Sequence, residues 1–415
     1  MTTIPDKKRI KAIVIAGRVP WPIDDGWKLR TYNIIKGLVL LGVEIDLVVF
    51  VSDKSPLSNY QDLNNLVHSL ELVPREKSYA VTDMLKGLVV STPFTVLNYS
   101  EAGFKNRVRH LCTENSYDML LVEDIVMAEY ARSLPVPIKF LDMHNVESSL
   151  MYRYADNESS LPRKIYARIT AGKLQKYEVR ASRLYDSFFV CSENDRDLLH
   201  EAGVSSLPVV IPNGIDPAAY ERCGDVEPGA IVFVGSMDYH ANVSGIVHFV
   251  REIFPLIVTR IAGVRLYIVG KNPEREVASL AAENIIVTGM VDDVRPYLSR
   301  AAVVVVPLLV GGGTRLKILE AMAMGKAVVS TTIGCEGIAA RSGETIYLED
   351  AAESFAARVV ELVRDQDAAG KIGRAAREFV IEQYDWSRIT AKIMETYTAA
   401  AAKRNSLTPG VAGSI

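Results

Sequence analysis

The feature that most constrains this chain is an alternation carried through both of its halves. Short β-branched runs are each followed by a longer amphipathic segment. Such alternation suits parallel sheets with helices on both faces, because every crossover between parallel strands needs a connection about as long as a helix. In the first half, the runs at 12–16, 44–50, 118–122, 138–143, 187–191 and 209–211 predict strands, with helices over 28–41 and 163–184 among the segments between them. In the second half, strands are predicted at 231–234, 265–269, 285–288, 303–306, 327–330 and 346–348, with helices near 243–253, 273–282, 294–302, 314–324 and 354–363. A chain of 415 residues is too long for one core. The stretch 217–229, rich in turn formers and charge, reads as a linker between a domain over 1–216 and another over 230–384. The chain returns to helix over 385–401, and 404–415 reads as a disordered tail.

Composition removes several function classes. A net charge of −3 leaves no global field to draw the chain onto nucleic acid. Cys112, Cys191, Cys223 and Cys335 are scattered, with neither metal-ligand spacing nor a C-x-x-C pair, so a reduced intracellular protein without a metal site is expected. The apolar run at 12–16 is too short for a signal-peptide core, and the longest apolar candidate, 301–310, is interrupted by Pro307. Neither approaches the roughly 18 apolar residues of a bilayer span. A cytoplasmic chain is the expectation.

Open parallel sheets bind ligands at the carboxyl ends of their strands, so two such domains should face each other across a cleft lined by post-strand residues. The most informative stretch fits that rule. A valine run, 303–306, leads into Gly311, Gly312 and Gly313, and a helix is expected to begin near Thr314. Glycines let backbone approach a ligand closely, and a helix start offers unpaired N–H groups and partial positive charge that favour phosphate. Arg315 and Lys317 add full charges there, and Glu320 lies further along the same helix, where ribose hydroxyls would reach it. The spacing matches neither G-x-x-x-x-G-K-[ST] nor G-x-G-x-x-G. A strand-turn-helix with glycines kept for packing is the plainer alternative.

The run GGGTRLKILEAMAMGKAVVSTTIGCEGI, which begins at Gly311, resembles the donor-binding signature of family 4 retaining glycosyltransferases, closest to the bacterial branch that builds exopolysaccharides and surface glycans. VIPNGID (210–216), IVFVGSMDYHANVSGIVHF (231–249), LYIVGKNP, VTGMVDDVRPYLSRA and YDWSRI (384–389) resemble further family segments in the same order. The resemblance implies an α/β GT-B fold of two Rossmann-like domains, with an acceptor domain first, a nucleotide-sugar donor domain second, and a closing helix over 385–401 that packs back on the first domain. It implies that Glu320 holds the ribose, that Arg315, Lys317 and the amides of Gly312 to Thr314 hold the diphosphate, and that the loop after Gly235, with Ser236, closes over the phosphates. Val291, Asp292 and Val294 would lie beside the base. No cofactor is implied, the nucleotide diphosphate sugar serving as co-substrate. Two departures stand out: Gly312 occupies the place of the first of two glutamates common in the family, and the loop 236–242 carries neither the Arg nor the Lys that often grip the diphosphate. Phosphate charge would then fall mainly on Arg315, Lys317 and the helix dipole.

His144 follows a predicted strand, and in similar enzymes a histidine here contacts the transferred sugar and the reacting centre. A histidine satisfied by a turn hydrogen bond is the alternative. The loop 17–26 after the first strand is shaped by proline and glycine, and the resemblance puts it near acceptor and donor phosphates, so Gly17, Arg18, Trp21, Trp27 and Arg30 are acceptor-side candidates beside the reading of a stable surface loop. The helix over 163–183 carries seven cations against one acid, Glu178. Such a run is usually a solvated face; the functional alternative is peripheral contact with an anionic membrane that bears a lipid-linked acceptor.

The reading is therefore a metal-independent, retaining hexosyl-type transferase that uses His144, Arg315 and Lys317, with a glycan or lipid-linked acceptor. A sugar-nucleotide epimerase of the same fold, and a donor-binding partner subunit without catalysis, are the rivals. A dehydrogenase is disfavoured because the first strand ends in Ala16-Gly17-Arg18, without a glycine fingerprint.

Overall fold

A computed structural model describes residues 9–52, 57–75, 87, 90–221, 224–310 and 314–407. The chain divides into two compact units, Met1–Pro212 with Ile389–Ile415, and Asn213–Arg388. Gly311, Gly312, Gly313 and Cys223, together with 408–415 of the expected tail, lie outside the described residues.

The first unit is a seven-stranded sheet in the order β3-β2-β1-β4-β5-β6-β7, and each strand pair is parallel. Its strands are β1 (Lys11–Ala16), β2 (Glu44–Ser52), β3 (Ser69–Arg75), β4 (Met119–Glu123), β5 (Ile138–Met143), β6 (Ser187–Val190) and β7 (Val209–Val210). β1 and β4 are apolar almost throughout because both faces of the sheet are covered. Ile13, Ile15, Leu120, Val122 and Leu141 are fully buried in its core. The closing helix, Trp386–Leu407, joins this unit from Ile389 onward and runs past Arg404, further than the sequence suggests. Gly37, in the Gly26–Leu40 helix, makes that packing possible: a Cβ there would lie 2.4 Å from Thr390 Cγ2.

The second unit is a six-stranded sheet in the order β10-β9-β8-β11-β12-β13, again parallel throughout. Its strands are β8 (Ala230–Val234), β9 (Arg265–Val269), β10 (Ile285–Gly289), β11 (Val303–Val306), β12 (Val328–Ser330) and β13 (Tyr347–Leu348). Helix 240–258 starts three residues before its expected position and passes through a π turn, Phe249–Ile253, just before Pro255. Among the described residues this is the one helical stretch long and apolar enough to cross a membrane, and 56% of that window is buried in the protein.

Both sheets reverse direction of growth once, between β1 and β4 in the first unit and between β8 and β11 in the second. Such switch points open a crevice at the carboxyl ends of the strands, and open α/β sheets bind ligands there.

Candidate functional site

In the second unit, the residues at the switch point converge on Lys317. The Leu316–Ala323 helix begins two residues later than the expected Thr314, leaving Arg315 as its N-cap. Lys317, in the first turn, donates from Nζ to Asn242 Oδ1 at 2.6 Å and lies 4.7 Å from the centroid of the Phe233 ring. Gly235, directly after β8, gives it room: a Cβ there would sit 2.7 Å from Lys317 Nζ. The backbone after β9 presses equally close, since a Cβ on Gly270 would stand 1.7 Å from Gly235 O. Burial, with the nearby Arg315 charge, pushes the Lys317 ammonium down to about 7, although Glu320 opposes the shift. Arg315 is itself buried, at 7% exposure, and Lys317 is half-buried and close enough to feel the Arg315 charge. Two neighbouring basic groups with little water around them favour an anion that neutralises both. Beside them, the buried hydroxyl of Thr314 makes no hydrogen bond among the described residues.

Glu320 accepts a hydrogen bond from the Tyr220 hydroxyl at 2.9 Å, and burial raises its carboxyl above the ordinary value against that bond and the charge of Lys317. Tyr220 belongs to the segment after Pro217–Ala219, and Arg295 fastens that segment by donating to Ala219 O at 2.9 Å. Asp293 in turn accepts from Arg295 at 2.9 Å. Val291, just upstream, packs partly buried against the core, whereas Asp292 is exposed. The loop after Gly235 is tied internally. Ser236 Oγ donates to Asp238 Oδ1 at 2.5 Å, and Asn242 Nδ2 donates to Ser236 O at 2.7 Å. The hydroxyl of Ser236 is thus already occupied, by a carboxylate that would repel phosphate.

The first unit gathers a second cluster at its own switch point. Arg30 is buried, at 1% exposure, and donates twice to Asp142, Nε to Oδ2 at 2.7 Å and Nη2 to Oδ1 at 2.6 Å. It also donates to Pro212 O at 3.1 Å. Placed here, Arg30 orders the end of β5 from within, rather than offering its guanidinium at the surface as an acceptor contact would. Glu123, the last residue of β4, is fully buried. Its Oε2 accepts from Thr31 Oγ1 at 3.0 Å and pairs with His144 Nε2 at 2.9 Å, while its Oε1 has no hydrogen-bond partner. Burial alone would lower the pKa of His144, but the hydrogen bond to Glu123 and the charge of Asp142 outweigh it and raise the imidazole above its ordinary value. Burial and the charge of Asp142 likewise raise the Glu123 carboxyl, so two buried acids are set against the Arg30 guanidinium and the His144 ring. Ligand atoms of Glu123, Asp142 and His144 lie within 4.8 Å of one another, the spacing of a metal site. Both oxygens of Asp142 are nonetheless committed to Arg30, and Glu123 Oε2 to Thr31 and His144.

Trp27 stacks on His144 with ring centroids 5.3 Å apart, and the Arg18 guanidinium lies 4.5 Å from the Trp27 ring. Arg18 is held in turn by Asp25 at 2.8 Å. Trp21 pairs instead with Tyr32, centroids 5.3 Å apart. Gly17 is buried against the Tyr99 ring, where a Cβ would lie 3.0 Å from Tyr99 Cε1. Asp124, next to Glu123, has φ +83°, a left-handed backbone uncommon outside glycine, and its N–H donates to Asp142 O at 2.9 Å. Three residues after His144, burial together with the charges of Asp124 and Glu178 raises the Glu147 carboxyl to about 7.

Sequence reading singled out His144, Lys317 and Glu320, but not the partners Glu123, Asn242 and Tyr220 that fix them. Glu123 alone carried a signal, as the acid that closes an otherwise apolar strand.

Residues 228–365 match the family described as glycosyl transferases group 1. This stretch is a glycosyl transferases group 1 domain. The group 1 domain covers β8 to β13, and with them Gly235, Lys317 and Glu320. Over nearly its whole length the chain is similar to an uncharacterized 44.6 kDa protein in a cps region of Klebsiella pneumoniae, at 24% identity across 93% of this chain and 99% of that one. A phosphatidyl-myo-inositol mannosyltransferase of Mycolicibacterium smegmatis is 30% identical across 47% of this chain and 52% of its own length. Among solved structures, Anabaena Alr3699/HepE in complex with UDP and glucose aligns over 94% of this chain and 99% of its own, at 13% identity and a TM-score of 0.64. TarM aligns over 95% of this chain and 100% of its own, at 11% identity and a TM-score of 0.67. The fold is GT-B, as in these solved structures, and the family match falls on residues 228–365 of the second unit.

Proposed function

We propose that this chain is a glycosyltransferase that moves a hexosyl group, with retention at the anomeric carbon and without a metal ion, from a nucleotide diphosphate sugar to a glycan or lipid-linked acceptor in exopolysaccharide biosynthesis in the cytoplasm. The observation that carries this reading is the pairing of buried Arg315 with half-buried Lys317 at a helix start beside Gly235. As the glycosidic bond to the donor breaks, the leaving diphosphate gains negative charge. Two preorganised cations and the helix start stabilise that charge where it develops, the electrostatic role usually worth most in catalysis. Glu320 holds the ribose hydroxyls, and the segment 291–294 lies by the base. Val291 and Gly235 shape the donor site by backbone and apolar contact, whereas Ser236 acts by ordering its loop. The acceptor hydroxyl attacks from the face the diphosphate leaves, and a departing phosphate oxygen takes its proton. His144, ordered by Glu123 and Trp27, takes part in the transfer; Arg18, Trp21 and Gly17 serve the acceptor side, and Arg30 orders the end of β5. Support for a nucleotide donor comes from the Anabaena neighbour, whose structure holds UDP and glucose. Support for a surface-glycan role comes from the relative in a cps region.

The test is incubation of pure protein with a panel of nucleotide diphosphate sugars and oligosaccharide or lipid-linked acceptors, with and without a chelator. The product's anomeric configuration is then read by NMR. A product that keeps the donor's configuration, formed equally in chelator, is expected. An inverted product, or loss of turnover in chelator, would overturn the retaining or metal-independent part. Conversion of donor to its epimer with no acceptor present would favour the rival epimerase.

A further inference from the structure

The Leu161–Ser182 helix belongs to the first unit and has two unlike faces. Ala167, Thr170, Ala171, Leu174, Tyr177 and Ala181 are buried against the unit. At 100° per residue they centre on one side, and the opposite side points to water. That outer side is not polar along its first turns. Leu161, Ile165 and Ile169, spaced four apart, are 67%, 52% and 44% exposed. Further along the same side stand Lys176, Arg180 and Arg183, all exposed, with Arg168 exposed at the edge of the apolar stripe. Arg168 pairs with Asp156 at 3.1 Å and Arg180 with Glu129 at 3.4 Å; Lys176 and Arg183 carry no such ion pair among the described residues. From 147 to 183, Lys and Arg number eight against four Asp and Glu, in a chain whose net charge is −3. A face whose apolar and basic segments are continuous along one exposed line fits a surface that is negatively charged outside and hydrocarbon beneath.

We infer that this face docks the chain peripherally on an anionic lipid bilayer, with Leu161, Ile165 and Ile169 entering the headgroup–acyl boundary and Lys176 and Arg183 lying over the phosphates. The inference stands apart from the proposed reaction, since it uses none of the residues of either cluster. Apolar entry gives binding that salt does not abolish. The basic segment gives selectivity for anionic lipid and a dependence on screening.

Co-sedimentation with phosphatidylcholine–phosphatidylglycerol vesicles and with phosphatidylcholine vesicles alone tests it. The full chain should partition onto the mixed vesicles at low salt. Binding should be several-fold weaker to the neutral ones, and weaker again in about 1 M salt, where the screening length falls to about 3 Å. Lys176→Glu with Arg183→Glu should lower partition onto mixed vesicles by at least about tenfold. Leu161→Ser with Ile165→Ser and Ile169→Ser should lower it on both. All five positions are solvent-exposed, so both variants should melt at the wild-type temperature, and each checks the other. Absence of binding to mixed vesicles at low salt, or binding that neither variant changes, would overturn the inference. So would a wild type that is a larger oligomer without lipid than the serine variant, because the stripe would then join two copies of the chain.

Discussion

The ammonium of Lys317 and the amide oxygen of Asn242 meet at 2.6 Å across 75 residues of sequence. The same Asn242 side chain donates to Ser236 O, so one buried amide fixes both the cation and the loop after β8. Asn242→Ala should therefore weaken nucleoside diphosphate binding by about tenfold or more, in line with about 1.5–3 kcal/mol for a hydrogen bond to a charged group. Isothermal calorimetry of variant and wild type measures this, with circular dichroism as the check on folding.

Tyr220 and Glu320 form a comparable pair. If Glu320 holds the ribose, Tyr220→Phe removes the bond that orients it while keeping the ring. Donor KM should rise by about three- to tenfold, with little change in kcat, because the contact is made equally in ground and transition states. Steady-state kinetics on the purified variant separates the two constants.

His144 should titrate above its ordinary value of 6.5, because Glu123 and Asp142 favour the imidazolium. A group whose pKa is raised by folding adds stability that is fully present below the unfolded value and is lost as pH rises through the folded one. Denaturant stability of the first unit should accordingly decline as pH passes above about 6.5. Glu123→Gln removes the main favourable partner, so the His144 ring resonances should titrate at a lower pH than in wild type. An unchanged NMR midpoint would show that Glu123 does not hold the proton on His144.

Arg30 and Asp142 are an ion pair with essentially no exposure. Removing one partner of such a pair leaves a buried charge uncompensated, at a cost of about 3–5 kcal/mol. Arg30→Met should lower the melting temperature of the first unit by about 10 °C. Replacing both, as in Arg30→Met with Asp142→Leu, should recover part of the loss. Differential scanning calorimetry reads both variants.

Most strands of this fold were legible because a strand covered on both faces is a run of β-branched residues, as in Val303–Val306 and Ala230–Val234. The strand Ser69–Arg75 was not, since it lies at the sheet edge and mixes Glu71, Pro74 and Arg75 with its apolar residues. The Gln366–Gln383 helix was not legible either; it contains Gly370 and Gly373, which lower helix propensity. Structure gives Gly373 another role: a Cβ there would lie 2.1 Å from Gly325 O, so the glycine lets two backbones touch. At the sites, residues with charge or a post-strand position declared themselves. Asn242 and Tyr220 did not, because their importance rests on partners 75 and 100 positions away; Glu123 shows only as the acid that ends β4, since its partner His144 lies 21 positions on. Arg30 was legible as a cation but not as a buried one, for nothing local in the sequence announces Asp142 as its partner.

On the proposed mechanism, Lys317 receives the donor's diphosphate. In the unliganded protein its ammonium is depressed to about 7, whereas a bound pyrophosphate would hold it charged. Calorimetric titration with UDP and other nucleoside diphosphates, in buffers of differing ionisation enthalpy, measures the linked proton. Above pH 8, well beyond the value of about 6 for a terminal phosphate, uptake should approach one proton. Affinity should fall about tenfold per pH unit there, and Lys317→Met should abolish both effects and weaken binding. Equal affinity and no proton uptake in wild type and Lys317→Met alike would contradict it.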